Sequence, residues 1–473
     1  MSSSLNVRVA LSHPSVPAST YMEGPLYAVL DLTPTSASSA GDARPPLNIV
    51  IVVDASASMH HFQLTDEERE YWLGLAISRD EMERGQADES DAIYWTGQTL
   101  AEMQTTARTP MALAVEAIKN LLVTLQPTDH VAVVAFADRV HTVFSVNDWA
   151  TFPDNCLQQM DLLREQRLPV DIGTGTYMAE SLRQAADYLQ QNTLGSGISR
   201  LILISDGIVQ DPDATLANIT TIQSNGFAIA TIGVGDDFDE EFLTQVADNS
   251  RGEYRYAADI AEITDCLHQE MTTLEAISVT DCYIAVRGLD GTVIQELYQI
   301  RPSMSLFDEV FTEGEWLRAR IGDVSGAAPS AVLVQLAPPL LPPGRHDIAE
   351  VQLTWFDTGA RTNAGTESVM LPVTTTDDAT EYSQTDPNVT DLVDRFNVYK
   401  YEREAQRAAE RGDLERAREK LGAATRQLHQ IGEEALAADM EQQIASLGQS
   451  GADPTRAKRI KATTRRLGST PPG

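Results

Sequence analysis

The feature that most constrains the fold is a run of β-branched residues that ends in an acidic, hydroxyl-rich loop. Residues 49–53 read Ile-Val-Ile-Val-Val, and the loop that follows contains Asp54, Ser56 and Ser58. An apolar run of this length is typical of a strand buried on both faces of a parallel sheet. Ligands of open α/β sheets bind at the carboxyl ends of such strands. A carboxylate and two hydroxyls at alternate positions therefore predict a site for a hard cation, although the same residue types are ordinary helix N-caps.

Two later segments add to this pattern. A second apolar run, residues 201–204, is followed by Ser205 and Asp206, and a Gly-rich turn at 173–178 precedes a predicted helix. In this order the motifs resemble those of the von Willebrand factor A family, whose metal-ion-dependent adhesion site reads Asp-x-Ser-x-Ser, then Thr, then Asp. The resemblance covers roughly residues 47–270 and includes the apolar strand at 129–136 and the strand and helix at 228–243. It implies a doubly wound, mostly parallel, Rossmann-like α/β sheet. Together with the composition considered below, we expect a bacterial, intracellular member of the family.

The resemblance also implies a set of metal ligands. Two serines would bind the ion through their hydroxyls, two aspartates mostly through water, and one threonine would complete the set. Thr176 has the family's spacing to the following helix, whereas Thr174 would serve the turn. The implied ion is Mg²⁺, with Mn²⁺ or Ca²⁺ as alternatives. The predicted metal ligands are Asp54, Ser56, Ser58, Thr176 and Asp206.

The ligand types indicate recognition rather than catalysis. Neutral hydroxyls cancel little of the charge of the ion, so its open position attracts an anionic oxygen, such as an Asp or Glu of a protein partner. Hydrolysis would need a general base near the metal, and the adjacent His60 and His61 have no companion motif. We therefore expect a non-enzymatic, Mg²⁺-dependent protein–protein interaction module that acts as an adaptor or scaffold.

Two alternatives from other classes remain open. The chain could be the substrate-adaptor subunit of a separate AAA+ ATPase of the MoxR or chelatase type, since it has no P-loop of its own. It could also be a metallohydrolase, which phosphatase and nuclease assays would detect. An AAA+ ATPase and a signalling kinase are thus candidate partners.

Composition narrows the class of protein further. The 473 residues carry a formal charge of −34, which repels phosphates and argues against a nucleic-acid partner. Three cysteines without metal spacing fit a reducing compartment. The sequence shows neither a leader pattern at its first residues nor an apolar stretch that could span a membrane. We expect a cytoplasmic location.

The chain divides into regions of different character. Residues 1–46 contain two strands that cannot be stable alone, and residues 276–380 show the period-2 alternation and turns of a β-sandwich. We therefore expect the N-terminal strands to pair with strands of 276–375. In this arrangement the metal-binding domain, residues 47–275, is inserted in or attached to the sandwich. A helical bundle is predicted at 385–450 and a basic tail at 451–473.

An insert at residues 60–109 separates the Asp-x-Ser-x-Ser motif from the first predicted helix of the domain. It begins with a capping box at 65–68 and reads as two helices around a polar break at 85–90. Trp72, Tyr94 and Trp95 are of a type enriched at interfaces, so we predict that they bind the partner. They could equally form a small core of the insert itself, and both interpretations remain open.

The C-terminal region is helical and rich in alanine. Residues 405–428 resemble a tetratricopeptide-like helix pair, but one pair is too short for a solenoid. A small bundle docked on the sandwich is the preferred interpretation. The basic tail that follows has six cationic residues within 456–466, and we expect it to contact the protein's own acidic surface or an acidic partner.

Overall fold

The computed structural model describes residues 4–469 except for a set of short gaps. The gaps are residue 23, residues 36–43, 63–65, 85–92 and 107–108, residue 148, residues 150–152 and 193–196, residue 207, residues 235–238, 258–259 and 308–309, residue 329, and residues 358–362 and 448–453.

The strands in chain order are β1 (Ser4–Leu11), β2 (Ser15–Pro17), β3 (Leu26–Thr35), β4 (Leu47–Asp54), β5 (Met82–Arg84), β6 (Ile93–Trp95), β7 (His130–Phe136), β8 (Val140–Val146), β9 (Ile198–Ser205), β10 (Ala228–Val234), β11 (Tyr254–Ala257), β12 (Ile277–Gly288), β13 (Val293–Arg301), β14 (Ser305–Leu306), β15 (Val310–Glu313), β16 (Trp316–Ser325), β17 (Ser330–Ala337), β18 (Gly344–Asp357) and β19 (Asn363–Thr376). The helices are α1 (Asp66–Arg79), α2 (Gly97–Thr106), α3 (Pro110–Leu122), α4 (Pro153–Arg164), α5 (Ala179–Gln191), α6 (Pro212–Ser224), α7 (Glu240–Ser250), α8 (Ile260–Glu275), α9 (Ala379–Tyr382), α10 (Pro387–Glu410), α11 (Leu414–Gln430), α12 (Glu434–Ser446) and α13 (Pro454–Arg466).

The central sheet is the doubly wound sheet that the apolar runs predicted. Its strand order is β11-β10-β9-β4-β7-β8, and all neighbours are parallel except β7 and β8. Every residue of β4 is buried, because helices cover both faces of the sheet. One face packs on α3, α4 and α8, and the other packs on α5, α6 and α7. The expected α/β fold is confirmed.

The N-terminal strands pair with strands that follow the central domain. β3 is antiparallel to β17, with Val29 opposite Leu333, and β2 lies parallel to β19. The two sheets run β1-β3-β17-β13-β14 and β15-β16-β12-β18-β19-β2. Leu30 of the first sheet and Val351 of the second share one buried core. The sheets therefore form a sandwich, and the α/β domain is inserted between its strands β3 and β12.

The sandwich contacts the central sheet at the amino-terminal ends of its strands. Arg200, near the start of β9, lies 3.3 Å from Asp323 of β16, and Arg320 donates a 3.3 Å hydrogen bond to the carbonyl of Gln223. Asp206 follows the opposite, carboxyl end of β9. The loops that carry the predicted metal ligands thus lie at the opposite, carboxyl ends of the strands.

The insert contains the two predicted helices and a two-stranded ribbon that was not predicted. Strands β5 and β6 pair antiparallel between α1 and α2. Arg79 of α1 forms a 3.0 Å ion pair with Glu102 of α2, and Glu81 accepts hydrogen bonds from the first backbone N–H groups of α2, those of Gln98 and Thr99. Thr65 of the capping box and the polar break at 85–90 lie outside the described residues.

The C-terminal helices form a bundle docked on the first sheet of the sandwich. Phe396 of α10 packs against Tyr298 of β13, with ring centroids 4.4 Å apart, within a core that also includes Val29. As expected, the basic tail contacts the protein's own acidic surface, and its residues 454–466 form helix α13, which was not predicted. Ile460 and Leu467 are buried in the bundle core, and Arg465 forms an ion pair with Asp248 of α7. An apolar face within the basic sequence therefore folds this segment onto the protein itself.

Candidate functional site

Four of the five predicted ligands are joined by direct hydrogen bonds. The Ser56 backbone N–H donates to Asp54 at 2.9 Å, the hydroxyls of Ser56 and Ser58 lie 3.0 Å apart, and the Ser58 hydroxyl donates to Asp206 at 2.8 Å. The parallel pairing of β4 with β9 brings the two loops together, because it places Val53 opposite Ile204 at the strand ends. The motif and the second aspartate therefore form one site.

The Asp54 carboxylate is fully buried among neutral donors. Besides the Ser56 N–H, it accepts a 2.6 Å hydrogen bond from the hydroxyl of Ser205. Burial raises the pKa of Asp54 above its ordinary value, and these hydrogen bonds lower it by less. Among the described residues, no basic side chain forms an ion pair with this carboxylate. A buried carboxylate without a cation is costly, so the site fits an added cation.

Thr176 lies in a loop that is hydrogen-bonded to the motif. The Ala57 N–H donates to the carbonyl of Thr174 at 3.0 Å, which ties the Gly-rich turn to the Asp-x-Ser-x-Ser loop. The Thr176 N–H donates to the side chain of Gln210 at 3.3 Å, and the Gln210 N–H donates back to the Thr176 carbonyl at 2.9 Å. Thr176 is 6% exposed. The backbone of Thr176 therefore joins this turn to the loop after β9, and the carbonyl of Thr174 joins the same turn to the loop after β4.

Asp138 holds the Gly-rich turn in place. Its carboxylate accepts a 2.9 Å hydrogen bond from the Gly175 N–H. Gly173 has φ +85°, and a Cβ there would lie 2.0 Å from a carboxylate oxygen of Asp138. Glycine is the residue that tolerates both the positive φ and the close approach. The turn is thus pre-formed by contacts that do not require an ion.

The donor set suits Mg²⁺ rather than zinc. Hydrogen bonds join two carboxylates and two hydroxyls, to which the predicted ligand Thr176 would add a third hydroxyl, and hard oxygen ligands favour Mg²⁺, Mn²⁺ or Ca²⁺. In the part of the chain that the structure describes, no three His, Cys, Asp or Glu side chains cluster as a metal site. The hydroxyls are therefore essential members of any ion site here, since two carboxylates alone are too few ligands.

His60, beside the motif, is not a strong general base. Burial, with a smaller contribution from His61, lowers the pKa of His60 to about 4. An effective general base has a pKa near the operating pH. The expectation that the site lacks hydrolytic machinery remains a prediction.

The insert residues predicted to bind a partner are placed only in part. Trp72 is 9% exposed and packs edge-on against Tyr71, with ring centroids 5.1 Å apart. This burial favours the alternative interpretation, in which Trp72 packs within the protein, and its role in partner binding stays a prediction. Tyr71, by contrast, is 63% exposed. The side chains of Tyr94 and Trp95 lie outside the described residues.

Three supporting residues of the site were missed. Ser205 donates to Asp54, Asp138 and Gln210 hold the Thr176 loop, and none of them belongs to the motif. Ser205 had a sequence signal, since it directly precedes Asp206 at a strand end. Asp138 and Gln210 had none, because they act across long separations in sequence.

Comparison with known families identifies two parts of the chain. Residues 104–269 match the von Willebrand factor type A domain, and residues 387–470 match the Sll0103-like, C-terminal alpha-helical domain. The first match includes Thr176 and Asp206 and begins after most of the insert. A protein of Synechocystis sp. described as uncharacterized, sll0103, is 23% identical over 316 residues, which cover 65% of this chain and 72% of that protein. The chain therefore contains a von Willebrand factor type A domain and a C-terminal helical domain.

Solved structures show that the whole architecture is shared. A von Willebrand factor type A protein from Catenulispora acidiphila has a TM-score of 0.70 at 18% identity, with 98% of this chain and 97% of that chain covered. The ArnB paralog VWA2 from Sulfolobus acidocaldarius has a TM-score of 0.53 at 14% identity, with 98% and 99% covered. At such identities the similarity concerns the fold alone. No described helix is both long and apolar enough to cross a membrane.

Proposed function

We propose that the von Willebrand factor type A domain of this chain is a Mg²⁺-dependent protein-binding module that acts as an adaptor or scaffold. The observation that supports the proposal is the continuous hydrogen-bonded series Asp54, Ser56, Ser58 and Asp206 at the carboxyl ends of two adjacent strands. The series begins at the buried carboxylate of Asp54, whose hydrogen-bond donors are neutral. Such an arrangement suits an ion that retains most of its charge.

Each residue has a distinct part in the proposed site. Ser56 and Ser58 would present hydroxyl oxygens to the ion, and Thr176 would present a third from the neighbouring loop. Asp54 and Asp206 would hold coordinated water and balance the charge. Ser205 is a positioning residue, because its hydroxyl fixes one oxygen of Asp54. When bound, Mg²⁺ would supply an open coordination position for a carboxylate oxygen of an Asp or Glu from the partner.

The position of the site in the fold supports an adaptor role. The sandwich contacts the central sheet at the amino-terminal ends of its strands through Arg200 and Asp323, so this contact does not involve the ligand loops at the carboxyl ends. The proposal includes a cytoplasmic location, which the three free, buried thiols Cys156, Cys266 and Cys282 support. It also includes the absence of enzymatic turnover.

Affinity purification from the native cell tests this function. The full chain is recovered in Mg²⁺ or in chelator, and co-purifying proteins are identified by mass spectrometry. We expect a protein that is retained with Mg²⁺ and lost with chelator or with Asp54→Ala, but kept with Asp213→Asn, which changes an exposed acid on α6. Substituting single Asp and Glu residues of that protein should identify one whose loss has the effect of chelation.

Other outcomes would contradict the proposal. Equal retention of every partner in Mg²⁺ and chelator would exclude metal-dependent recognition. Mg²⁺-dependent release of phosphate or nucleotides from model substrates, abolished by Asp54→Ala, would instead indicate a metallohydrolase. Recovery of an AAA+ ATPase would instead favour the substrate-adaptor alternative, whereas recovery of a signalling kinase would name the partner within the proposed function.

A further inference from the structure

A cavity lies where the α/β domain meets the C-terminal helices. It has a volume of about 270 Å³ and is bordered by α7, α10 and α13. An adjoining cavity of about 150 Å³ shares Glu402, Gln406 and Lys461 with it. The rest of its lining is Glu240, Gln443 and six apolar side chains, among them Ala405, Ala409 and Leu421. We call the two together the junction cavity. It is distant in sequence from every proposed metal ligand.

Glu402 is the feature that distinguishes this cavity from an ordinary packing gap. Its side chain is 6% exposed and borders both parts of the cavity. Among the described residues, it makes no hydrogen bond and no ion pair. Burial raises the pKa of Glu402, although the charges of Lys461, Arg403 and Arg465 oppose this. A buried carboxylate normally has a partner, so this one faces a space that something else occupies.

The remaining charges around the cavity are of both signs. Arg403 donates only to the hydroxyl of Tyr399 among the described residues, and neither Arg407 nor Lys461 forms an ion pair with the acids that line the same space. Glu241 and Glu410 are exposed residues that line the opening of the cavity. Partial desolvation and the charge of Glu410 raise the pKa of Glu241. Arg465 is already committed to Asp248. Apart from the Arg465–Asp248 pair, the acidic and basic side chains that line the cavity form no ion pairs with one another among the described residues.

We propose that the junction cavity binds a small zwitterion with an aliphatic side chain, of the α-amino acid class. The ammonium group of the ligand faces Glu402, and its carboxylate faces Arg403 and Lys461. Its side chain lies against Ala405, Ala409 and Leu421. A ligand of this kind matches a lining that contains both signs of charge beside an apolar recess, as small-molecule sites do. Because α7 and α10 both border the cavity, the ligand contacts the α/β domain and the helical domain at once.

Calorimetric titration of the full chain with L-leucine tests the proposal. We expect one binding site, with 3-methylbutylamine and 4-methylpentanoate each weaker by more than about tenfold, since each lacks one charged group. Glu402→Gln should weaken leucine binding by a similar factor. Glu419→Gln, an exposed position on α11, should leave it unchanged.

Three results would overturn the proposal. Absence of leucine binding at millimolar concentrations would mean that the cavity holds water. Binding that is equal in Glu402→Gln would place the ligand elsewhere. A lower melting temperature of ligand-free Glu402→Gln than of the wild type would show that Glu402 has a structural role, because an unpartnered buried carboxylate should cost stability rather than supply it.

Discussion

The Ser58 hydroxyl donates a 2.8 Å hydrogen bond to Asp206, a residue 148 positions further along the chain. The contact exists because β4 and β9 are parallel neighbours and their carboxyl ends coincide. Insertion of the α/β domain into the sandwich leaves this arrangement intact, since the sandwich contacts the sheet at the amino-terminal ends of its strands. The candidate ion site is thus a product of sheet topology.

The first prediction concerns the effect of metal on stability. Mg²⁺ should raise the melting temperature of the wild type, because an ion that binds only the native state stabilises it by about 2.7 kcal/mol at a hundredfold excess over Kd. Asp54→Ala and Ser58→Ala should abolish or sharply reduce the rise, and Asp213→Asn should preserve it. Differential scanning calorimetry measures these shifts. Equal shifts in all four proteins would remove the site from consideration.

The second prediction concerns the insert. Replacement of residues 62–107 by a short Gly/Ser linker keeps Met59, which is buried in the domain core, and Thr109, which caps α3. The shortened protein should retain the Mg²⁺-dependent rise in melting temperature and lose its native partner, since we expect the insert to supply discrimination. Pull-down and calorimetry give the two readouts.

A matched variant refines the test of the insert. Tyr71 and Ile77 are exposed by 63% and 61% on α1, whereas Trp72 is buried. Ile77→Ser should therefore weaken partner capture, and unlike a change at Tyr71 it leaves the packing on Trp72 intact. If the shortened protein binds its partner at wild-type affinity, the insert has no part in recognition.

The third prediction concerns the C-terminal helix. Arg465 and Asp248 form an ion pair with side chains 5% and 16% exposed. Arg465→Met leaves Asp248 without its cation and should cost about 3 kcal/mol in urea unfolding. Arg459→Met, on the exposed side of the same helix, should change stability by less than about 0.5 kcal/mol. Asp248→Asn combined with Arg465→Met should recover part of the loss, and strict additivity of the two changes would contradict a direct pair.

The fourth prediction concerns pH. The folded pKa of Glu402 lies above its ordinary value of 4.5 because burial outweighs the opposing charges of Lys461, Arg403 and Arg465, and Glu410 raises it further. The contribution of Glu402 to the free energy of folding is therefore most favourable below pH 4.5 and is lost as pH rises through the folded pKa. Glu402→Gln should match the wild type near pH 4 and melt at a higher temperature near pH 8. Parallel curves across this range would show that the folded pKa is not raised.

Some elements were predictable because local pattern and burial agree. The apolar runs of β4 and β9 indicated buried parallel strands, and the motif at the end of β4 located the site. Strand β15 was missed because all four of its residues are exposed, so it shows no alternation. The short ribbon β5–β6 was missed because three-residue strands are too short to show a period.

Other features depend on contacts that sequence order conceals. The bond from Ser205 to Asp54 spans 151 residues, and the hold of Asp138 on Gly175 spans 37. Composition suggested that Trp72 meets a partner, but composition does not reveal which face of α1 is inward. The density of cationic residues in 456–466 similarly hid the apolar face formed by Ile460 and Leu467.

Crystallography with Mn²⁺ tests the central claim most directly, because anomalous scattering locates the ion without assumptions about the partner. The account predicts one strong peak bound directly by the hydroxyl oxygens of Ser56 and Ser58 at roughly 2.1–2.2 Å, with Thr176, Asp54 and Asp206 around it. An acidic group from a neighbouring molecule or an added carboxylate should occupy its open position. The absence of a peak between these two serines at millimolar Mn²⁺, in a crystal where the loops are ordered, would contradict the account.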